Sequence, residues 1–221
     1  MKVVKILAND DLEYVNTLLR GISFENGKKT ATGITRQLKN NQEASLGGHA
    51  YSELSNYLKN KVIENEWIKK RYLPKKLNRG KINKFIAGDS YGKHFDASHM
   101  QEGLKTERND FSFTLMLSRL QDYDGGELNI ETDEVNHKVR LDAGDMVIYP
   151  SMYIHQVLPI VQGERIAYVG WIRSHIKDRF GYETLNAFED MHISLLKNDL
   201  SDDDHLQLSY VKNRLRHIIS D

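Results

Sequence analysis

The segment Tyr91-Gly92-Lys93-His94-Phe95-Asp96 sets an imidazole and a carboxylate two residues apart. On a strand, positions i and i+2 share a face, so His94 and Asp96 would converge on one point while Phe95 turns the other way. Alone that is a weak signal, because His-x-Asp arises readily on ordinary strands. Well downstream, His155 opens another predicted strand, in Tyr153-Ile154-His155-Gln156-Val157. Alone it reads as an ordinary core or surface histidine. Taken together, two histidines and one carboxylate on the inner face of a sheet make the facial set that suits non-haem iron(II) and leaves coordination positions open. A closed four-ligand site would instead be structural. His94, Asp96 and His155 are therefore the candidate catalytic and metal-ligating residues.

Arg165 follows ten positions after His155 and heads the apolar run Ile166-Ala167-Tyr168-Val169-Gly170-Trp171. A guanidinium against a core is costly unless it binds an anion. Its planar fork suits a carboxylate in two-point contact, which is what the distal end of 2-oxoglutarate presents. The competing reading is an intramolecular salt bridge to an Asp or Glu. Open positions on the metal would accept the keto and carboxylate oxygens of such a 2-oxoacid and admit dioxygen. Asp124-Gly125-Gly126-Glu127-Leu128 reads as a hairpin turn. Asp142-Ala143-Gly144-Asp145 is likewise a turn that sends the chain along Met146 to Pro150 towards His155.

Antiparallel strands must position these residues. From Lys81 to Arg173, short apolar runs are punctuated by Gly, Asp and Asn, and we read strands near 81–87, 93–97, 111–118, 127–131, 137–141, 145–149, 154–159 and 165–173. So many short strands suggest a two-sheet jelly roll. Before them, a helix begins at a cap on Asn9 or Asp10 and uses Leu12, Val15, Leu18 and Leu19. A mostly polar loop with short extended pieces follows over 24–48. A second helix spans 50–67, with Leu54, Leu58, Val62 and Ile63 on one face. After Arg173 the texture is helical again, with a final helix capped at Ser201 and Leu206, Tyr210, Leu215 and Ile218 as packing residues. The fold class is thus α+β: a jelly-roll or barrel-like core with N-terminal flanking helices and a helical C-terminal appendage. The division expected is 1–176 for the catalytic domain and 177–221 for the extension.

Composition narrows the remaining classes. The 221 residues carry 39% hydrophobic and 28% charged side chains, ordinary for a folded domain. Lys plus Arg equals Asp plus Glu at 31 each, so no global field favours nucleic acid or a membrane surface. Cysteine is absent, which leaves His, Asp and Glu as the strong metal ligands. The first nine residues lack the apolar run of a signal peptide, and no later window is long enough to cross a bilayer, so the expectation is a cytoplasmic protein.

With these residues in view, the sequence resembles the PKHD-type hydroxylases, relatives of the prolyl 4-hydroxylases among the 2-oxoglutarate dioxygenases. The resemblance runs through Gly27 to Ala31, Lys39 to Gln42, Tyr91 to Asp96, Tyr123 to Leu128, Asp142 to Pro150 and His155 to Trp171. It implies a double-stranded β-helix (jelly roll) core, iron(II) on His94, Asp96 and His155, 2-oxoglutarate on Arg165, and Tyr91 and Trp171 near the pocket. It also implies release of succinate and CO2, and L-ascorbate as the reductant. One departure stands out. Many relatives resemble Asn-Arg-Tyr where this chain has Asn83-Lys84-Phe85, and Phe85 cannot donate a hydrogen bond to the cosubstrate. Thr114 is a candidate substitute donor.

The substrate class implied is peptidyl, prolyl included, or a small molecule. Two other readings compete. The run Lys69, Lys70, Arg71, Lys75, Lys76, Arg79, Lys81 and Lys84 contains no acid and would suit the phosphates of a nucleic-acid demethylase's substrate, although only Trp67 and Tyr72 lie nearby for base stacking. A non-catalytic, ligand-binding jelly roll is the other, and an intact triad with Arg165 argues against it. His49, His99, His137, His175, His192, His205 and His217 are read as structural or surface residues. An offset of five would put His99 opposite His94 if the strand continued.

Overall fold

Fifteen strands and six α-helices build the computed structural model, which describes residues 1–221 apart from 31, 32, 34, 133 and 134. Ala31, the last residue of the first matching segment, lies outside the described residues. In chain order the first elements are β1 (Lys2–Lys5), α1 (Asn9–Leu19), β2 (Phe24–Asn26), α2 (Thr35–Leu38), β3 (Lys39–Asn40) and β4 (Gln42–Ala44). Next come α3 (His49–Glu64), α4 (Glu66–Tyr72), β5 (Pro74–Ile86), β6 (Ser90–His94) and the hairpin β7 (His99–Glu102) with β8 (Lys105–Arg108). The chain continues through β9 (Phe111–Met116), β10 (Tyr123–Gly125), β11 (Leu128–Glu131), β12 (Asn136–Val139), β13 (Asp145–Pro150), β14 (Ile154–Val157) and β15 (Ile160–Ser174). It closes with α5 (Arg179–Leu195) and α6 (Asp202–Ile219).

Two compact units emerge, Met1–Asn65 with Lys76–Arg173, and Glu66–Lys75 with Ser174–Asp221. In the first unit the major sheet runs β1-β13-β9-β15-β5-β4-β2, with β10 pairing β15, and the minor sheet runs β12-β11-β14-β6-β3. All pairings given for both sheets are antiparallel. Every residue of β9 is buried. Flanked by β13 and β15, it alternates Phe111, Phe113 and Leu115 with Ser112 and Thr114, and the two polar residues line the cavity described below. The core between the sheets takes Phe85, Val147, Tyr149 and Ala167 from the major sheet and Ile130 and Val157 from the minor one. This is the jelly roll expected, and helices stay outside its strands.

Several elements differ from expectation. The helix predicted over 50–67 is two helices, because Asn65 takes an extended conformation (φ −63°, ψ 120°) that ends α3. Its buried face is nevertheless Tyr51, Leu54, Leu58 and Val62. The first helix is capped one residue early, at Ala8, whose amide donates to Asp11 Oδ2 at 2.8 Å. The short extended pieces expected over 24–48 are β2, β3 and β4, whereas β1, β10 and the β7–β8 hairpin went unread, since three or four residues give no measurable period.

In the second unit, Asp178 Oδ2 accepts from the Gly181 amide at 2.6 Å to cap α5, and Ser201 caps α6 as expected. The expected packing face of α6 needs correction, since Leu206, Tyr210 and Ile218 are all exposed. An ion-pair cluster ties the two helices instead. Glu189 on α5 is buried and takes Lys212 at 3.2 Å and Arg216 at 3.0 Å from α6. Arg71 on α4 donates to Asn186 Oδ1 at 3.2 Å, which explains why residues 66–75 group with the C-terminal helices. No helix among the described residues is long and apolar enough to cross a membrane.

Candidate active site

His94 and His155 face each other across the β6–β14 pairing, as direct register partners, with ring centroids 4.3 Å apart. Asp96 differs from expectation: β6 ends at His94, so the carboxylate comes from the turn that follows and not from the strand. Phe95 does turn away, 67% exposed. The Asp96 amide donates to the Ser151 carbonyl at 3.3 Å, and Ser112 Oγ donates to Asp96 Oδ2 at 2.5 Å. These bonds aim the carboxylate back, and one ligand atom from each of His94, Asp96 and His155 falls within 4.8 Å of the other two.

The ring protons are fixed by the backbone. His94 Nδ1 lies 2.8 Å from the Gly92 carbonyl and His155 Nδ1 lies 3.0 Å from the Tyr153 carbonyl. A carbonyl oxygen only accepts, so each Nδ1 carries the proton and each Nε2 keeps its lone pair for a metal. Burial, reinforced by the neighbouring His155, pushes the His94 pKa down to about 4, which keeps that ring neutral at physiological pH. Tyr91 stacks on His94 with centroids 3.7 Å apart, and burial pushes its own pKa up to about 12.

Across the cavity stands Arg165, 2% exposed on β15. No carboxylate pairs with it among the described residues, and its buried Nε has no hydrogen-bond partner. Burial draws its pKa down while the phenols of Tyr123 and Tyr149 oppose the shift, and a guanidinium stays charged regardless. The Phe85 ring lies 5.5 Å below its carbon centre. Gly126, at φ +66°, closes over the side chain so tightly that a Cβ there would stand 3.0 Å from Arg165 Cδ and 2.2 Å from Ile160 Cδ1. The turn read as merely structural thus forms part of the arginine's wall. Its left-handed backbone and close approach both call for glycine.

All seven residues singled out in the sequence, His94, Asp96, His155, Arg165, Tyr91, Thr114 and Trp171, line this one cavity, which encloses about 650 Å³ with its open mouth included. The ordinary histidine and salt-bridge readings of His155 and Arg165 lose their appeal in such a setting. Sequence reasoning missed Tyr149. Its buried phenol is hydrogen-bonded to Thr114, sits edge-on to His155 at 5.1 Å, and is held protonated by burial. A polar hydroxyl therefore stands near Arg165 although residue 85 is phenylalanine. The available signal was its alternation with Val147 on β13, which places both on the core face. Also missed was Ser112, directly opposite Tyr149 and Trp171 in the sheet.

Most of the basic run is engaged in ion pairs. Six of its eight members already pair with carboxylates: Lys69 with Glu66, Arg71 with Asp190, Lys75 with Asp221, Lys76 with Glu107, Lys81 with Glu43 and Lys84 with Glu164. These pairs offset much of the run's charge, although Lys81 only shares Glu43 with Lys39.

Residues 80–173 match the 2OG-Fe(II) oxygenase superfamily. A PKHD-type hydroxylase of Hyphomonas neptunium is 41% identical over 176 residues, 80% of this chain and 79% of that protein. Another, from Prochlorococcus marinus strain MIT 9215, is 36% identical over 202 residues, 91% and 90% of the two chains. Among solved structures, a Trichoplax adhaerens prolyl hydroxylase in complex with a hypoxia inducible factor peptide fragment shares the fold. Its TM-score is 0.54 at 16% identity, covering 77% of this chain and 82% of that one. A two-sheet core, a His-Asp-His cluster and relatives matched along most of their length agree: the chain belongs to the PKHD-type hydroxylases of the 2OG-Fe(II) oxygenase superfamily and is a 2-oxoglutarate-dependent dioxygenase.

Proposed function

We propose that His94, Asp96 and His155 hold iron(II), that Arg165 receives the distal carboxylate of 2-oxoglutarate, and that the enzyme hydroxylates a peptidyl or small-molecule carbon with release of succinate and CO2. The observation that carries this reading is a buried guanidinium that meets no carboxylate among the described residues and lies in the same cavity as the triad. Such a charge needs a bound anion. The donor set fits the metal as well: two neutral imidazoles and one carboxylate suit ferrous iron.

Bound iron would supply the oxidising chemistry, and the chain's own residues would set geometry and exclude water. The Gly92 and Tyr153 carbonyls hold the imidazole tautomers, Ser112 holds Asp96, and Gly126 with Phe85 fixes the arginine. Thr114 and Tyr149 would offer hydroxyls beside the cosubstrate, and Tyr91 and Trp171 would wall the substrate side. We further assign L-ascorbate as the reductant that keeps the metal ferrous, the cytoplasm as the location, and residues 1–176 as the part that carries the chemistry.

The test is succinate release from 2-oxoglutarate on addition of iron(II), with and without a broad panel of peptides and small molecules. We expect turnover by the wild type and none by His94→Ala, whose far-ultraviolet circular dichroism should match the wild type. Wild-type protein that releases no succinate under any of these conditions would return the chain to the non-catalytic reading.

A further inference from the structure

One wall of the cavity carries charges that neither metal nor cosubstrate explains. Lys81, Asn83 and Phe85 alternate on β5 and line the cavity together. Beside Asn83 in register stands Glu43 on β4, and from β3 comes Lys39. Lys39 and Glu43 are 4% and 5% exposed and form an ion pair. Glu43 Oε2 also accepts from Thr30 Oγ1 at 2.6 Å, and Lys81 Nζ lies 2.9 Å from that hydroxyl and 3.5 Å from Glu43 Oε1. Burial pushes the Lys39 ammonium's pKa down and Glu43 pulls it back. Burial pushes the Glu43 carboxyl up, but the two lysines outweigh it and hold it below the usual carboxylate range.

The cluster therefore has two cations and one anion. Lys39 has three N–H donors but only two acceptors near it, Glu43 and Thr30, at least among the described residues. Along the cavity as a whole, Lys39, Lys81 and Arg165 face Asp96 and Glu43, an excess of one positive charge. Iron(II) and doubly ionised 2-oxoglutarate cancel each other, so that excess survives loading. The same cavity buries two further polar atoms without partners, Asn83 Oδ1, an acceptor, and Trp171 Nε1, a donor. Each is a standing cost until something supplies its bond. The wall is connected to the chemistry, because Lys39 Nζ lies 5.5 Å from the Tyr91 ring centroid and Tyr91 stacks on His94.

We propose that this wall is a substrate subsite for one carboxylate, paired by Lys81 and Lys39, with Asn83 and Trp171 holding an adjoining amide group by its N–H and its carbonyl. The proposal rests on the dioxygenase reading and names its substrate class: an acidic, peptide-like molecule. A carboxylate matches the single surplus charge. A phosphate monoester, with roughly −1.5 to −2 at neutral pH, would overcharge a wall that already holds Glu43.

The probes are blocked tripeptides, Ac-Gly-Pro-X-NH2, with X glutamate, glutamine, lysine or phosphoserine, and the free acid Ac-Gly-Pro-Gly. Each is titrated into the full chain loaded with manganese(II) and 2-oxoglutarate, and manganese-induced relaxation of the proline protons reads binding close to the metal. We expect the glutamate peptide to bind at least about tenfold more tightly than the glutamine peptide, as desolvated charge pairs do, and the lysine peptide to bind most weakly. Tight binding of the free acid as well would identify a chain-terminal carboxylate as a second acceptable source. Lys81→Met should level the glutamate and glutamine peptides, and Lys81→Glu should favour the lysine peptide. Equal binding of the glutamate and glutamine peptides to the wild type overturns the proposal. So does preference for the lysine or phosphoserine peptide, or relaxation of no peptide at all. Relaxation of 2-oxoglutarate itself is followed in the same samples. Its absence strikes the dioxygenase reading, whereas its presence without a charge preference strikes only the subsite.

Discussion

Replacing Arg165 with methionine should make the ligand-free protein more stable and blind to 2-oxoglutarate. The guanidinium is 2% exposed, its Nε lacks a hydrogen bond, and no carboxylate meets it among the described residues. An unmade buried bond costs about 1–3 kcal/mol and the desolvated charge several more. Against this stand the Phe85 face at 5.5 Å, worth up to about 2 kcal/mol, and the hydroxyl dipoles of Tyr123 and Tyr149. Methionine fills a similar volume without a charge, so the net gain in the ligand-free state should be about 2 kcal/mol. For a chain of this size that raises Tm by roughly 4–8 °C. Cosubstrate reverses the ranking. At a hundred times its Kd, 2-oxoglutarate should stabilise the metal-loaded wild type by about 2.7 kcal/mol and the variant hardly at all. Calorimetric or fluorescence melts of both proteins, with manganese(II) and with or without 2-oxoglutarate, supply the four values needed. A ligand-free variant that melts below the wild type would mean that Arg165 has an internal partner, and the anion-site argument would fail. A variant that keeps its 2-oxoglutarate shift would remove the arginine from the cosubstrate site.

Ser112→Ala removes the donor 2.5 Å from Asp96 Oδ2 and should weaken iron(II) binding by about 10- to 100-fold in a chelator competition titration, with activity restored by excess metal. Unchanged affinity would show that the Asp96 backbone tie to Ser151 suffices to aim the carboxylate. Metal-free protein should lose stability in acid through His94. Its folded pKa of about 4 lies below the unfolded value of about 6.5, so the unfolded chain takes the proton first. The contribution is complete above pH 6.5 and is lost as the pH falls towards 4, about 2 kcal/mol of it by pH 5. Urea midpoints measured from pH 7.5 to pH 4 should show that loss, and His94→Gln should flatten it; parallel curves for the two proteins would contradict the assignment.

What could be read in advance followed from how far each signal extends along the chain. His155 and Arg165 were legible because apolar neighbours on their strands frame them, and His94 because of its two-residue spacing from Asp96. Asp96 was found for a partly mistaken reason. Its convergence with His94 comes from the turn after β6, held by the Ser151 carbonyl and the Ser112 hydroxyl, not from strand alternation. Tyr149 and Ser112 stayed hidden because a tyrosine or serine in a buried strand looks like packing until its cross-strand neighbours are known. The wall formed by Lys39, Glu43 and Lys81 was further out of reach. Strands of two and three residues have no period, and Lys81 lies far along the chain from Lys39 and Glu43.

That contrast separates what the fold must keep from what it can vary. His94, His155 and Arg165 stand on inner strands of the two sheets, and the pairing of His94 with His155 fixes those two rings against each other. On the opposite wall, β3 and β4 lie near the sheet margins, and β3 pairs with β6 through only two residues. A change there alters few ladder bonds and leaves the triad's own hydrogen bonds intact. Substrate choice can therefore shift through Lys39, Glu43 and Lys81 without dismantling the oxidising centre. Their burial as a bonded cluster, and not as independent surface charges, means that they change function together. Losing Lys81 leaves the buried Lys39–Glu43 pair in place, losing Lys39 leaves Glu43 with Lys81 alone, and losing Glu43 leaves the Lys39 ammonium buried without its carboxylate.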